Sequence, residues 1–444
     1  MKKEFPKGFR WGTATASFQI EGATTADGRG ESIWDRFAAT PGKILTGETG
    51  DPACESYYRY KEDVALMKKI GANAYRFSIA WPRIIPDGDG AINEKGLAYY
   101  SNLVDELLAA GIEPFVTLYH WDLPQALQDK GGWANRATID AFLRYTETVV
   151  EKLGDRVKNW MTHNEPWCIS ILSNEIGAHA PGLRDTRTAL AVAHNLLVSH
   201  GRAVPLIRAR CPDAKVGIVL NFAPAQPATD SPEDAAAVQL HHEKFNLWFL
   251  DPITGRGYPK GAWSAYGDAV PEILDGDMGV MTAPIDFLGV NFYSRSIIHD
   301  ESSPRNAKII NRRNPRNMMA RGWEVYPKTL ADLLTWLHSD YNLPELVVTE
   351  NGAMYDDVVW NGEVHDLARI EYIKAHISVL PDVIEKGVPL TGYFCWSLMD
   401  NFEWAQGTRD RFGLIYVDVE TQERIIKDSG KWFARVAAAN AVVD

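Results

Sequence analysis

Two glutamates stand in short polar runs, each closing an apolar segment that reads as a strand. Glu165 lies in Thr162-His163-Asn164-Glu165-Pro166, after the run at residues 157–162. Glu350 lies in Thr349-Glu350-Asn351-Gly352, after the run at residues 345–349. Ionised groups are rarely buried without a partner, so a carboxylate at the exit of a buried strand is poorly explained by packing. Two carboxylates brought together can divide acid and base work across one bond, as glycoside hydrolysis requires. The bland alternative is that each glutamate caps a helix or pairs with an arginine. Finding both at strand ends weighs against it. They lie far apart in the chain, so only a fold can bring them together.

The elements that would do so are legible as apolar runs at residues 9–16, 72–79, 112–119, 157–162, 215–220, 285–291, 345–349 and 390–397. Amphipathic stretches at 55–70, 96–110, 138–153, 186–210, 329–341 and 368–386 read as helices between them. Gly71, Gly111, Gly154 and Gly387 follow helical stretches, where a residue in the left-handed conformation ends a helix. The alternation predicts an α/β fold, a (β/α)8 TIM barrel forming a single catalytic domain over residues 1–444. A doubly wound open sheet is the competing architecture, but its G-x-G-x-x-G loop is absent. The Gly-, Pro- and charge-rich stretches at 22–50, 252–284, 299–327 and 404–423 are expected to be long βα loops shaping the barrel mouth.

A barrel places its active site at the C-terminal strand ends. Polar and aromatic residues do collect there: Gln19, Arg76, His120 with Trp121, Asn164 with Glu165, Asn221, Tyr293, Glu350, and Trp396 leading to Glu403 and Trp404.

Composition narrows the partners. The chain of 444 residues is 45% hydrophobic, enough for a large core, and its formal charge of -12 argues against nucleic acid or an anionic membrane. Cys54, Cys168, Cys211 and Cys395 form no CxxC pair, which suggests neither a disulfide framework nor a zinc site and fits a reducing cytoplasm. Met1-Lys2-Lys3-Glu4-Phe5-Pro6 has no apolar stretch behind it, and no run approaches the ~18 apolar residues of a membrane span. His194, His200 and His241-His242 lie on helical stretches rather than strand exits, so neither a metal nor a cofactor is expected. A small-molecule substrate is the expected partner, and homo-oligomerisation stays open.

Residues 9–22, reading FRWGTATASFQIEG, resemble the N-terminal fingerprint of glycoside hydrolase family 1. The Asn164-Glu165-Pro166 and Thr349-to-Gly352 runs are similar to that family's acid/base and nucleophile motifs. The resemblance continues through Tyr75-Arg76-Phe77-Ser78, Tyr119-His120-Trp121-Asp122 and residues 397–404. It implies a (β/α)8 barrel and a retaining β-glycosidase, most often a β-glucosidase with some β-galactosidase or β-fucosidase activity. Glu350 would attack the anomeric carbon, and Glu165 would protonate the leaving oxygen and then deprotonate water. A retaining pair stands about 5–5.5 Å apart. Arg76 and Tyr293 match residues that hydrogen-bond the nucleophile, and Arg76 would keep it ionised. Glu165 needs the opposite shift, so that it starts protonated. Gln19, His120, Trp121, Asn164, Trp396, Glu403 and Trp404 match the glycone-binding set. Trp167, Asn221 and Trp323 lie where family members build the aglycone side.

His163 departs from the family, which more often has Phe or Leu there, and is expected to fill a gap behind the acid/base. The resemblance points to an exo-acting β-glucosidase for β-glucosides and short cello-oligosaccharides. A 6-phospho-β-glycosidase is the alternative. Glu403 opposes it, because phospho-specific relatives tend to have a small hydroxyl residue there. A non-catalytic sugar-binding barrel should have lost one carboxylate, and this chain keeps both.

Overall fold

The computed structural model describes residues 4–309, 318–319 and 322–444. Eight parallel strands close into a barrel. They are β1 (Arg10–Ala14), β2 (Ala74–Ser78), β3 (Glu113–Tyr119), β4 (Asn159–Asn164), β5 (Lys215–Asn221), β6 (Phe287–Asn291), β7 (Leu346–Asn351) and β8 (Leu390–Trp396). Each pairs with the next in sequence, and β8 returns to β1 with Ala14 opposite Trp396. The principal helices are α1 (Ser56–Lys69), α2 (Glu94–Ala109), α3 (Ala137–Leu153), α4 (Thr186–Arg210), α5 (Pro232–His242), α6 (Lys328–Tyr341), α7 (Leu367–Ser378) and α8 (Asp428–Ala439). The architecture is therefore the expected (β/α)8 barrel.

The strands read as continuous apolar runs because both their faces are covered, by the barrel interior and by the helix ring. Every residue of β2, β4, β6 and β7 is buried. Helix α3 turns Ile139, Phe142, Tyr145, Val149 and Leu153 to the barrel, a spacing of three and four residues that keeps them on one face. Alternation along β4 sends Asn164 inward and His163 outward. The His163 ring stacks on Phe142 with centroids 4.7 Å apart, and its Nε2 lies 2.8 Å from Ser199 Oγ. It fills the space between barrel and helices, as expected.

The regular ladder breaks where the chemistry sits. Register shifts fall between Met161 and Asn164 against β5, between Val290 and Asn291 against β7, and between Tyr393 and Cys395 against β7. Such irregularities re-aim side chains at a strand end.

Three details differ from the sequence reading. Gly71, Gly111 and Gly387 have the expected positive φ, but Gly154 is right-handed at φ -67. It is needed there for close approach, since a Cβ would lie 2.6 Å from the Val150 carbonyl oxygen. The helical stretch at 368–386 breaks at Val379, because Pro381 starts a separate short helix, Leu380–Glu385. Residues 252–284 do not shape the mouth. They include the helix Asp277–Met281, which packs on the outside of the barrel against α4, with Asp277 Oδ2 2.8 Å from His194 Nε2. The segment follows the helices after β5, with Ala262 N donating to Glu243 Oε2 at 2.6 Å, and runs outside the barrel into the start of β6. The loop at 404–423 does reach the mouth and is tied to the 22–50 loop, with Thr408 N donating to Glu48 Oε2 at 2.7 Å. Residues 310–317 and 320–321 of the 299–327 loop lie outside the described residues.

Candidate active site

Glu350 ends in a cage of donors. Arg76 on β2 donates from Nη1 to Glu350 Oε1 at 2.5 Å, and the Tyr293 hydroxyl donates to Oε2 at 2.6 Å. Arg76 is itself fixed. Its Nε donates to Thr117 Oγ1 at 3.2 Å and its Nη2 to Asn164 Oδ1 at 2.5 Å. Arginine suits this place because its planar fork serves two acceptors at once. Behind Glu350, Gly352 passes so close to β8 that a Cβ would lie 1.7 Å from the Trp396 carbonyl oxygen.

Glu165 follows β4 in the left-handed region, at φ 51. Trp121 and Trp404 also have positive φ, 82 and 49. Such conformations cost about 1–3 kcal/mol in non-glycine residues and gather at functional sites. Asn291, at the end of β6, donates from Nδ2 to Glu165 Oε1 at 2.7 Å and to Asn164 Oδ1 at 3.1 Å. Asn164 thus joins the two carboxylates through Arg76 on one side and Asn291 on the other. Burial first, and then the charge of Glu350, push the Glu165 carboxyl up to about 7.

One cavity of about 560 Å³ opens over both glutamates. Its lining includes His120, Trp121, Glu165, Asn221, Tyr293 and Trp323 together with Glu350, Trp396, Glu403 and Trp404, all of which the sequence placed in the site. Trp167 also lines it and stacks on Phe245 with centroids 4.3 Å apart. Gln19, Arg76 and Asn164 are fully buried in the layer behind. Gln19 Nε2 reaches Asn401 Oδ1 at 2.9 Å, the Phe402 carbonyl oxygen at 3.0 Å and Glu403 Oε2 at 3.3 Å. Burial, then the charges of Asp410 and Glu350, raise Glu403 to about 8. His120 Nε2 lies 3.0 Å from Asn164 Nδ2, and burial followed by the Arg76 charge holds the imidazole well below its ordinary range, so it is neutral. Trp121 Nε1 donates to the Asn164 carbonyl oxygen at 2.9 Å, and the rings of Trp121 and Trp404 stand 4.5 Å apart. Trp323 is exposed at the rim, and its ring lies 5.8 Å from Tyr293.

Sequence reasoning missed Asn291, Cys168 and His179. Asn291 touches both Glu165 and Asn164, and its position at the exit of β6 was the available signal. Cys168 Sγ lies 3.0 Å from Glu165 Oε2. His179 lines the cavity beside Trp121 from a loop that no strand exit marks.

The arrangement has two unlike carboxyls, one favouring its protonated form and one held by a cation and a hydroxyl donor, beneath an aromatic-walled pocket. That is equipment for acid-assisted displacement on a sugar. Comparison with known proteins agrees. The profile described as Glycosyl hydrolase family 1 matches residues 1–442. Beta-glucosidase A of Thermotoga maritima is 49% identical, covering 100% of this chain and 99% of that protein. The 1,4-beta-D-glucan glucohydrolase of Thermotoga neapolitana is 47% identical, covering 100% of both. The solved family 1 β-glucosidase from Thermotoga maritima superposes with a TM-score of 0.95 at 48% identity, covering 100% of each chain. On a profile match spanning nearly all its length, with paired glutamates at the ends of β4 and β7, this chain belongs to glycosyl hydrolase family 1.

Proposed function

We propose that this protein is a retaining, exo-acting β-glucosidase that removes terminal glucosyl units from β-glucosides and short cello-oligosaccharides, the whole chain working as one catalytic unit. The contrast between the two carboxyls carries the reading. Glu350 accepts from Arg76 and Tyr293, while burial and Glu350 itself favour the protonated form of Glu165. Glu350 attacks the anomeric carbon as Glu165 gives its proton to the leaving oxygen. A glycosyl ester on Glu350 results. Glu165, now ionised, takes a proton from water, and the attack of that water frees the sugar with its original anomeric configuration.

Gln19 and Glu403 would grip adjacent hydroxyls at the closed end of the pocket. Gln19 Nε2 already points at Glu403, and its Oε1 has no hydrogen-bond partner among the described residues. Trp396 would give the ring an apolar floor, and Trp404, Trp121 and His120 its walls. Asn164, beside Arg76 and His120, would reach the 2-hydroxyl. Asn221, Trp167 and Trp323, further along the lining, would meet the aglycone. The names of the family relatives support glucose as the glycone. All four cysteines are free thiols, which supports a cytoplasmic setting, and among the described residues no helix is long and apolar enough to cross a membrane.

The test is a panel of aryl β-glucoside, β-galactoside, β-fucoside and 6-phospho-β-glucoside, with cellobiose and cellotriose, the first product being read by proton NMR. Turnover of the β-glucoside with β-glucose appearing first is expected. A first product of α configuration, or no turnover of any glycoside, would overturn the reading.

A further inference from the structure

The two oxygens of Glu165 face different chemistry. Oε1 receives Asn291 Nδ2 at 2.7 Å. That amide is locked in orientation, because Asn291 Oδ1 accepts from Thr349 Oγ1 at 2.7 Å and Nδ2 also serves Asn164 Oδ1. An amide nitrogen only donates, so Oε1 always meets a hydrogen. Oε2 lies 3.0 Å from Cys168 Sγ. A thiol is a weak donor and a weak acceptor, and its hydrogen rotates. It can therefore sit beside a carboxylate oxygen or beside a protonated one.

We propose that Cys168 is a positioning residue for Glu165: its thiol directs the carboxyl proton to Oε2 and supports the carboxylate left when that proton departs. This rests on the reading of Glu165 as the acid/base. A group that must change protonation twice in each turnover gains from a neighbour compatible with both states.

The surroundings hold the thiol to this task. Cys168 lies one helical turn after Glu165, and its backbone N–H donates to the Glu165 carbonyl oxygen at 2.9 Å. Its side chain is buried at the cavity wall. Asn221, at the end of β5, directs Nδ2 to the sulfur at 3.7 Å. Sulfur has two lone pairs, so with one met by Asn221 the thiol can still turn either its S–H or its other lone pair to Oε2. Burial, and then the charge of Glu165, push the thiol well above its ordinary range, so the sulfur keeps its hydrogen while Glu165 titrates. The other groups facing Glu165 are Glu350 from β7, whose charge raises it, and Asn291 from β6 and Arg76 from β2, which lower it. Tyr293 feels the Glu165 charge as well. The Cys168 hydrogen bond acts in the lowering direction.

The experiment is the pH dependence of kcat/KM on an aryl β-glucoside for the native enzyme, Cys168→Val, Cys168→Ala, Cys168→Ser and Glu165→Gln. Cys168→Val removes the donor, and Cys168→Ala repeats that without added bulk. Both should move the alkaline limb upward by roughly half a pH unit, the scale of a weak hydrogen bond to a charged group. Cys168→Ser keeps a donor and should leave the limb at or below its native position. Alanine and valine variants whose limbs coincide with the native one would overturn the proposal. So would a serine variant that shifts upward with them, since packing would then be the cause. The Glu165→Gln profile separates the two claims. If its alkaline limb persists, the acid/base reading fails. If that limb vanishes while the Cys168 variants match the native enzyme, only the role of Cys168 fails.

Discussion

Arg76 and Glu350 form a buried ion pair with Nη1 and Oε1 2.5 Å apart, although 274 positions separate them in the chain. The pair fixes the orientation of Glu350, and through Nη2 it also fixes Asn164. Removing one partner of a buried pair leaves an uncompensated charge and costs about 3–5 kcal/mol. Arg76→Met should therefore lower the urea unfolding midpoint markedly and abolish turnover. Arg76→Lys keeps the charge without the planar fork, so it should recover part of the stability and little of kcat. A stable, active Arg76→Met protein would show that the pair does not organise the site.

The pH profile follows from Glu165. Burial and then the Glu350 charge raise its carboxyl from an ordinary 4.5 to about 7. Below about 7 it is protonated, as the proposed acid role requires, so kcat/KM should fall as pH rises through that range. The same shift has a stability counterpart. The folded state binds the extra proton, so this contribution is fully present below pH 4.5 and is lost as pH rises through about 7. Glu165→Gln, which buries no charge, should melt above the native enzyme at pH 8, and by a smaller margin at pH 5. Thermal scans of both proteins at the two pH values check the sign.

Backbone proximity gives a third expectation. A Cβ at Gly352 would lie 1.7 Å from the Trp396 carbonyl oxygen, and backbone there has no flexible end to yield. Gly352→Ala should push β7 and β8 apart beside Glu350, lowering both kcat and the melting temperature. Gly362→Ala serves as a control, because a Cβ there meets nothing within 4 Å, although its φ of +79 adds local strain. It should lose stability without the same loss of kcat.

The parts of this site that the sequence announced are those whose residue type contradicts its surroundings. Glu165 and Glu350 end apolar runs, and Arg76 interrupts one, so each stood out before any fold was known. Asn291 also ends a strand, but an asparagine there reads equally well as a turn residue. Only its contacts with Asn164 and Glu165 show its use. Cys168 was hidden because buried cysteines are common core residues. Gly154 shows a limit of another kind, since glycine after a helix can signal a left-handed cap or a tight approach, and the neighbour Val150 decides which. Residues 252–284 were misplaced because irregular composition does not say whether a segment lines the mouth or packs on the outside of the barrel.

The closed end of the pocket sets the charge tolerance of the sugar. A 6-phosphate brings about −1.5 to −2 charges. It would enter beside Glu403 and Asp410, both in the cavity lining. Asp410 sets a like charge against that phosphate, and Glu403, raised to about 8, adds its own as it ionises, so kcat/KM should favour the aryl β-glucoside over its 6-phosphate by a factor that grows with pH and reaches roughly a thousandfold once both are charged. Glu403→Ser should narrow the gap mainly by losing activity on the neutral sugar, and Asp410 should keep it from closing. Measuring both substrates with both proteins checks this. A native preference for the phosphorylated sugar would promote the phospho-glycosidase alternative.

The central claim is the division of labour between Glu165 and Glu350, and azide rescue of the two alanine variants tests it most directly. Azide is a small nucleophile that needs no general base. In Glu165→Ala the glycosyl ester on Glu350 still forms from a substrate with a good leaving group. Azide then attacks the face that water would use and yields the β-glucosyl azide. In Glu350→Ala no ester forms, and azide occupies the space of the missing carboxylate. It displaces the leaving group directly to yield the α-glucosyl azide. Opposite anomers from the two variants are the predicted result, and the same anomer from both would contradict the assignment.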